Sequence, residues 1–147
     1  MATTVKRITL WRGDLPNEPG ALAAALRPLS EAGVALTVAM AYKVPGDHTK
    51  AVVELYPIAG RKAQNAARAG GLSPSEIPTL LVEGDDRPGL GASLAQAVAA
   101  RGINMSFLVT QVVGRKYVSV FGFDSDADAK AAAAILRKAG TGSRKKR

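Results

Sequence analysis

The sequence predicts an α+β protein in which one small unit occurs twice, each unit with an antiparallel sheet and helices on one face. The same order of segments is present in both halves: a strand, a loop with a Pro-Gly pair, a helix rich in alanine and leucine, and a helix-ending glycine. The distance from the Pro-Gly pair to that glycine is also the same, from Gly20 to Gly33 and from Gly89 to Gly102. Two strand-like segments with a turn between them then follow in each half. A repeat that retains its loop chemistry indicates two copies of one domain.

The first half is predicted to contain strand 5–12, a helix from Pro19 to Gly33, strands 34–44 and 50–56, and helix 59–69. Pro28 interrupts the apolar stripe of the first helix, which consists of Leu22, Leu26 and Leu29. A proline inside a helix removes a hydrogen bond, so we expect a kink or an early end there. Trp11 lies on the strand face opposite Ile8 and Leu10, and we expect it to pack between copies or subunits, or to form a ligand wall.

The second half repeats the order, with strand 79–83, helix 88–101, strands 103–113 and 116–123, and a last helix that Ser125 is predicted to cap. Its first helix carries an apolar stripe of Leu90, Leu94 and Val98. The predicted organisation is a first repeat at 5–70, a linker at 71–78, a second repeat at 79–140 and a disordered basic tail at 141–147.

Composition excludes several classes of protein. The chain has 147 residues, 47% of them hydrophobic, which is typical of a globular protein. It has no cysteine, which excludes disulfides, thiolate metal sites and cysteine nucleophiles. No apolar segment approaches the ~20 residues that span a bilayer, and no secretory signal is recognisable, so we expect a cytoplasmic protein. Half of the net charge of +8 lies in residues 144–147, either as a solubilising end or as an arm that binds phosphates.

The strand-to-helix loops, Asn17-Glu18-Pro19-Gly20 and Asp86-Arg87-Pro88-Gly89, resemble those of the ACT domain. Each loop leads into a helix that ends in Gly-Val or Gly-Ile-Asn. The resemblance covers most of residues 5–140 as a tandem pair, and it implies two ferredoxin-like regulatory modules that bind amino acids. The family pattern has a fourth strand that the sequence does not reveal. Strands are therefore exchanged between copies or chains, or a sheet edge stays open for pairing.

Candidate ligand-binding residues follow from this resemblance, which implies a ligand between two ACT units in contact with the loop. The residues are Asn17, Gly20, Ala21, Asp86, Gly89, Leu90, Gly91 and, as a weaker candidate, Asn104. Free backbone N–H groups at a helix start receive carboxylates. Asn17 and Asp86 bind an α-ammonium group or orient the loop, or they serve only as helix N-caps. The loops differ in detail, so we expect inequivalent pockets and favour the loop of Asp86.

Other motifs are weaker. Residues 89–94 nearly match a dinucleotide fingerprint, but Leu94 replaces the third glycine and a hairpin follows the helix. Asp124, Asp126 and Asp128 alternate as in a calcium loop, without its glycine and glutamate, so we expect them to be helix-start acids. His48, the only histidine, lies in a predicted exposed turn with no nucleophile beside it. We therefore expect no cofactor, no metal and no catalytic residue.

The sequence favours a non-catalytic regulatory protein that senses a small amino acid at an interface between repeats or subunits. The expected partners are the amino acid, a second copy in a homodimer or higher oligomer, and a regulated enzyme. Membranes are excluded and nucleic acid is disfavoured. The alternative is an interaction module that recruits a partner enzyme or nucleic acid through open sheet edges and the basic tail.

Overall fold

The computed structural model describes residues 3–142. Its helices are α1 (Ala21–Glu31), α2 (Arg61–Ala69), α3 (Leu90–Ala99) and α4 (Asp126–Gly142). Its strands are β1 (Thr4–Ile8), β2 (Trp11–Pro16), β3 (Val38–Lys43), β4 (Lys50–Tyr56), β5 (Ser73–Pro74), β6 (Thr79–Asp85), β7 (Met105–Val113) and β8 (Lys116–Phe123). Helix α4 reaches Gly142, beyond the predicted end of the second repeat. The rest of the predicted basic tail, 143–147, lies outside the described residues.

The chain forms two units, each with one four-stranded antiparallel sheet and two helices. The first unit, residues 9–76, has the strand order β3-β4-β2-β5 and carries α1 and α2. The second unit, which joins residues 3–8 to 77–142 of the described chain, has the order β1-β6-β8-β7 and carries α3 and α4. The predicted α+β class with antiparallel, ferredoxin-like sheets is confirmed.

The fourth strands come from an exchange within the chain. The prediction of one strand over 5–12 is wrong, because Thr9 and Leu10 separate β1 from β2. Strand β1 pairs with β6 of the second unit, with Val5 opposite Val82. The range 5–70, predicted for the first repeat, includes β1, but this strand pairs with β6 of the second unit. In the first unit the fourth strand is β5, whose Pro74 lies opposite Trp11.

Each unit has its own hydrophobic core. In the second unit, alternate residues of β6 and β8, such as Leu80 and Phe121, pack with Leu94 and Leu136 of the helices. In the first unit the equivalent core includes Trp11, Leu29 and Leu55. Trp11 is only 5% exposed, and the Arg68 guanidinium lies 5.1 Å from its ring centroid. The expectation that Trp11 packs between copies or subunits is therefore wrong, because this side chain belongs to the core of its own unit.

Helix α1 differs from its predicted form. It continues through Pro28 to Glu31, so the expected early end is wrong. The carbonyl of Pro28 still accepts the N–H of Ala32 at 3.1 Å, which completes the last turn. Leu22, predicted in the apolar stripe, is 39% exposed, whereas Ala25 and Leu29 form the buried face.

Candidate functional site

The two strand-to-helix loops have the same backbone geometry. In the first, the N–H of Ala21 donates to the Glu18 carbonyl at 3.3 Å; in the second, the N–H of Leu90 donates to the Arg87 carbonyl at 3.2 Å. Gly20 has φ 88° and ψ −14°, and Gly89 has φ 80° and ψ 3°. Proline followed by glycine at positive φ is the signature of a type II turn. The repeated Pro-Gly pairs therefore form matched turns at two helix starts.

Each turn leaves backbone donors at the start of its helix. The first intrahelical bonds run from the Ala24 N–H to the Gly20 carbonyl and from the Ser93 N–H to the Gly89 carbonyl, both at 3.0 Å. The preceding N–H groups consequently have no intrahelical partner and favour an anion. The N-caps are Gly20 and Gly89, without a side-chain cap hydrogen bond. The interpretation of Asn17 and Asp86 as N-caps is therefore wrong.

Both loops are instead tied to the tip of the neighbouring hairpin. The backbone N–H of Asn17 donates to the Thr49 carbonyl at 3.0 Å, and its Nδ2 donates to the His48 carbonyl at 2.8 Å. The backbone N–H of Asp86 donates to the Arg115 carbonyl at 2.8 Å. Asn17 thus orients its loop, and His48 is an exposed turn residue, as predicted.

The first loop borders an open cleft of about 530 Å³. The cleft is lined by the end of β2, the turn, small residues of α1 and the end of α2. These residues are Leu15, Pro16, Glu18, Pro19, Gly20, Ala21, Ala24, Ala25, Ala69 and Gly70. The predicted Gly20 and Ala21 thus line a cleft of a size that holds small ligands, whereas Asn17 stands outside it. The one charged lining residue is Glu18.

Larger side chains occupy the corresponding place in the second unit. Counted from the turn glycine, Leu90 and Leu94 take the positions of Ala21 and Ala25, and they are 3% and 2% exposed. Because the Leu90 side chain belongs to the core, only its backbone remains for a ligand. A Cβ added at Gly91 would meet nothing within 4 Å, so the helix backbone is open to approach there.

Beside the second turn lie two buried polar atoms with unused hydrogen-bonding capacity. Tyr117 is 1% exposed, and its ring lies across Gly84, where an added Cβ would come within 3.1 Å of the hydroxyl oxygen. Within the described part of the chain, neither Tyr117 Oη nor Arg87 Nη2 has a hydrogen-bond partner. Beside them, Lys116 Nζ contacts Asp85 Oδ1 at 2.6 Å.

The phenol of Tyr117 has a perturbed pKa. Burial, the largest effect, raises the pKa, and the Asp85 carboxylate adds to the rise. Thr3, whose side chain interacts with the hydroxyl without full hydrogen-bond geometry, and the Arg87 cation both lower the pKa. The phenol is therefore a neutral hydrogen-bond donor at physiological pH.

Asn104 does not join this site within its own unit. It precedes Met105, which lies opposite Phe123, whereas the loop follows Asp85, which lies opposite Lys116. These pairings place Asn104 and the loop at opposite ends of β8. Asn104 therefore lies apart from the Pro-Gly loop of its own unit.

A second buried polar group lies in the first unit. Glu54 is 1% exposed, and its Oε2 accepts a hydrogen bond from the Tyr42 hydroxyl at 2.8 Å. Burial raises the pKa of Tyr42, and the hydrogen bond and negative charge of Glu54 raise it further, while the Arg12 cation lowers it. This pair lies on the sheet face opposite that of Val53 and is separate from the cleft.

The remaining sequence motifs have structural roles. Ser125 Oγ accepts the N–H of Asp128 at 3.1 Å, which confirms the predicted cap of α4. Asp124 accepts a hydrogen bond from Ser106 at 2.8 Å, and Asp126 pairs with Arg7 at 2.5 Å. Over residues 3–142 there is no group of three His, Asp or Glu side chains suited to a metal ion. Within the same range, no helix has the length and apolar character needed to cross a membrane.

Five possible site residues were not predicted from the sequence: Arg87, Tyr117, Ala24, Ala25 and Ala69. Arg87 and Glu18 occupy the same position before the Pro-Gly pair, so the charge at this position is reversed between the two loops. This charge reversal is visible in the sequence. The unused hydrogen-bonding capacity of Tyr117 cannot be predicted from the sequence, because it depends on how the ring packs across Gly84.

Comparison with solved structures identifies similar folds. A protein from Bacteroides thetaiotaomicron has a TM-score of 0.73 at 12% identity, covering 91% of this chain and 98% of that one. The regulatory subunit of aspartate kinase from Thermus thermophilus has a TM-score of 0.65 at 20% identity, covering 95% and 97%. That from Thermus flavus has a TM-score of 0.59 at 22% identity, with the same coverage. No family model and no curated protein sequence matches the chain. These likenesses identify the fold, which is ACT-like and ferredoxin-like.

Proposed function

We propose that this chain is a non-catalytic regulatory protein that binds a small amino acid at its Pro-Gly turns. The observation that carries the proposal is the pair of matched type II turns at helix starts, one of which opens onto a cleft of about 530 Å³. The similarity to regulatory subunits of aspartate kinase supports a regulatory role. The described residues contain no cluster of acid, base and nucleophile that would favour an enzyme.

The chemistry of the first cleft suits an amino acid. Backbone N–H groups at the start of α1 are donors for the α-carboxylate. The carboxylate of Glu18, which also lines the cleft, offers a partner to the α-ammonium group. Ala21, Ala24 and Ala25 leave room for a small apolar side chain. Ligand binding to one conformation of the regulated assembly would then shift its population.

A thermal-shift screen of the standard amino acids tests this proposal. Binding to the folded state raises the melting temperature, and the rise grows with ligand concentration. Ala24→Leu places a larger side chain in the cleft and should abolish the rise that arises from the first unit. Ala23→Leu is the matched control, because Ala23 is exposed on the same helix and does not line the cleft.

Two results would contradict the proposal. One is the absence of stabilisation by every amino acid at millimolar concentration. The other is an equal loss of stabilisation in Ala23→Leu and Ala24→Leu, which would show that the cleft has no special part in binding.

A second candidate function, an interaction module that recruits a partner enzyme or a second copy through a sheet edge, is favoured by strand β7. This edge strand has nine residues and no charged side chain. Leu108, Val109, Val112 and Val113 are 41%, 42%, 48% and 67% exposed. The other edges are protected: β1 carries Lys6 and Arg7, β5 has two residues, and β3 ends in Lys43. A long, apolar, unprotected edge is a template for strand pairing.

A charged side chain at the middle of β7 tests this second function. Val109→Lys should block strand pairing and convert any homo-oligomer to the monomer, as measured by light scattering during size-exclusion chromatography. Ala99→Lys, at an exposed position at the end of α3, adds the same charge elsewhere and serves as the control. A wild-type chain that stays monomeric and binds no partner enzyme through β7 would exclude the function.

A further inference from the structure

The second unit holds two hydrogen-bonding groups that its own fold leaves unused. Tyr117 Oη and Arg87 Nη2 are both buried, and within residues 3–142 neither has a partner with full hydrogen-bond geometry, although the Thr3 side chain lies close to the hydroxyl. Leaving such a group unsatisfied destabilises the folded state, and more so when the group is charged. Two orphaned groups in one place therefore indicate either a bridging water or a ligand group that both can bind.

The two groups belong to one place in the fold. The Tyr117 hydroxyl lies beside Gly84, three residues before Arg87, at the end of β6. The hydrogen bond from the Asp86 N–H to the Arg115 carbonyl holds the intervening loop against the same end of β8. Asp86, Pro88 and Gly89 are exposed, so the loop that carries Arg87 lies at the protein surface.

The surrounding charge favours an anion. The loop and the adjoining hairpin tip carry two acids, Asp85 and Asp86, and three basic residues, Arg87, Arg115 and Lys116, of which Lys116 is paired with Asp85. A guanidinium and a neutral phenol are both donors toward a carboxylate, and the guanidinium geometry matches that group. The first repeat has Glu18 and Ala51 at the equivalent positions and lacks both donors.

We propose that Arg87 and Tyr117 form a carboxylate-binding pair beneath the Asp86 loop, and that this pair selects an acidic amino acid for the second repeat. This inference rests on the proposed function and adds the ligand class. The α-carboxylate has the open backbone of α3 near Gly91, and the side-chain carboxylate has Arg87 and Tyr117. The first repeat, with the carboxylate of Glu18 in its cleft, disfavours the same ligand.

Calorimetric titration of the full chain with L-aspartate, L-glutamate and their amides tests the pair. The wild type should prefer the acids by about tenfold or more, the ratio that corresponds to 1.4 kcal/mol. Arg87→Gln and Tyr117→Phe should each remove most of this preference and leave the affinity for L-asparagine and L-glutamine unchanged. Arg101→Gln removes the same charge from an exposed position at the end of α3 and should behave as the wild type.

Thermal stability separates a ligand site from a structural role. Tyr117→Phe removes a hydroxyl that has no protein partner with full hydrogen-bond geometry, so the melting temperature without ligand should stay equal or rise. A structural hydrogen bond or bridging water at this hydroxyl would instead make the variant less stable. Lower stability combined with unchanged acid preference would overturn the proposal.

A failure of the proposed amino-acid binding can be distinguished from a failure of the carboxylate-binding pair. If no amino acid binds the wild type, titration with succinate, a simple dicarboxylate, tests the pair alone. Saturable succinate binding that Arg87→Gln abolishes would support the carboxylate pair while the amino-acid function fails. Absence of succinate binding, or binding that both variants retain, would overturn the pair as well.

Discussion

The loop at 17–20 and the loop at 86–89 hold their glycines at φ 88° and 80°, and each is tied to its hairpin tip by one backbone hydrogen bond. What surrounds these turns is different. In the first unit, alanines leave a cleft and the loop carries Glu18. In the second unit, leucines fill that space and the loop carries Arg87 beside Tyr117. The two units thus share the backbone geometry that presents the helix start, whereas the volume and charge of the surrounding side chains differ.

Truncation of Leu94, which takes the place of Ala25 at the helix start of the second unit, should have the largest effect on stability. Leu94→Ala is expected to lower the free energy of unfolding by about 2–5 kcal/mol, because it removes a buried side chain and leaves a cavity. Urea denaturation measures the loss. Leu22→Ala, at a position 39% exposed on α1, is the control and should cost less than about 1 kcal/mol. A loss of similar size in both variants would contradict the contrast between filled and open helix starts.

A second prediction concerns the turn glycines. Gly20→Ala and Gly89→Ala should each cost about 1–2 kcal/mol, because both residues have positive φ, which a Cβ disfavours. Gly91→Ala tests the neighbouring helical position, which has open space for a Cβ, and should stabilise by up to about 1 kcal/mol. The same added methyl group should also weaken ligand binding at the α3 backbone. Equal costs at Gly89 and Gly91 in thermal melts would contradict the assigned turn geometry.

Alkaline pH should reveal the raised pKa values of two tyrosines, the buried Tyr117 and the more exposed Tyr42. Burial raises the pKa of Tyr117 above the value near 10 of an unfolded chain, so the folded state retains the phenolic proton more tightly. This stabilisation is complete below pH of about 10 and is lost as the pH rises through the raised pKa. Melting temperatures should therefore fall less steeply above that pH in Tyr117→Phe than in the wild type.

Tyr42→Phe should act similarly through the first unit, since burial and Glu54 raise the pKa of Tyr42. Tyrosine absorbance at 295 nm, followed during titration, checks the assignments. If neither variant alters the alkaline loss of stability, these phenols do not have the environments described.

The smallest predicted effects concern the ties between loop and hairpin. Asn17→Ala removes the hydrogen bond to the His48 carbonyl and should cost about 0.5–1.5 kcal/mol at any ionic strength. Lys116→Gln removes the partly exposed pair with Asp85 and should cost at most about 1 kcal/mol, less in high salt. Denaturation at low and high salt separates them. Identical salt dependence of the two variants would contradict the distinction.

Much of the fold could be predicted, because the repeated Pro-Gly pairs and helix-ending glycines are local signals. The exchange of β1 could not be predicted from the sequence. An alternation of apolar residues over 5–12 predicts a strand, but it carries no information about a change of pairing partner after Ile8. For the same reason, assigning Trp11 to a face of that single strand gave the wrong environment.

The candidate site was predictable only in its backbone. Gly20 and Ala21 were identified through the loop motif and line the cleft. The cleft itself depends on Ala25 facing Gly70 across two helices, where an added Cβ on Gly70 would lie 2.6 Å from the Ala25 carbonyl oxygen. Such packing, like the position of the Tyr117 hydroxyl, depends on tertiary structure.

Amide chemical shifts during titration with the most stabilising amino acid give the most direct test of ligand binding at the turns. If the turns bind the ligand, saturable shifts are expected to be concentrated at residues 20–24, 89–92 or both. A smaller cleft of about 300 Å³, lined by Gly33, Val34 and Lys62 among others, lies at the other end of α1 and serves as an internal reference. Saturable shifts confined to that cleft, or no saturable shifts at either turn, would contradict the account.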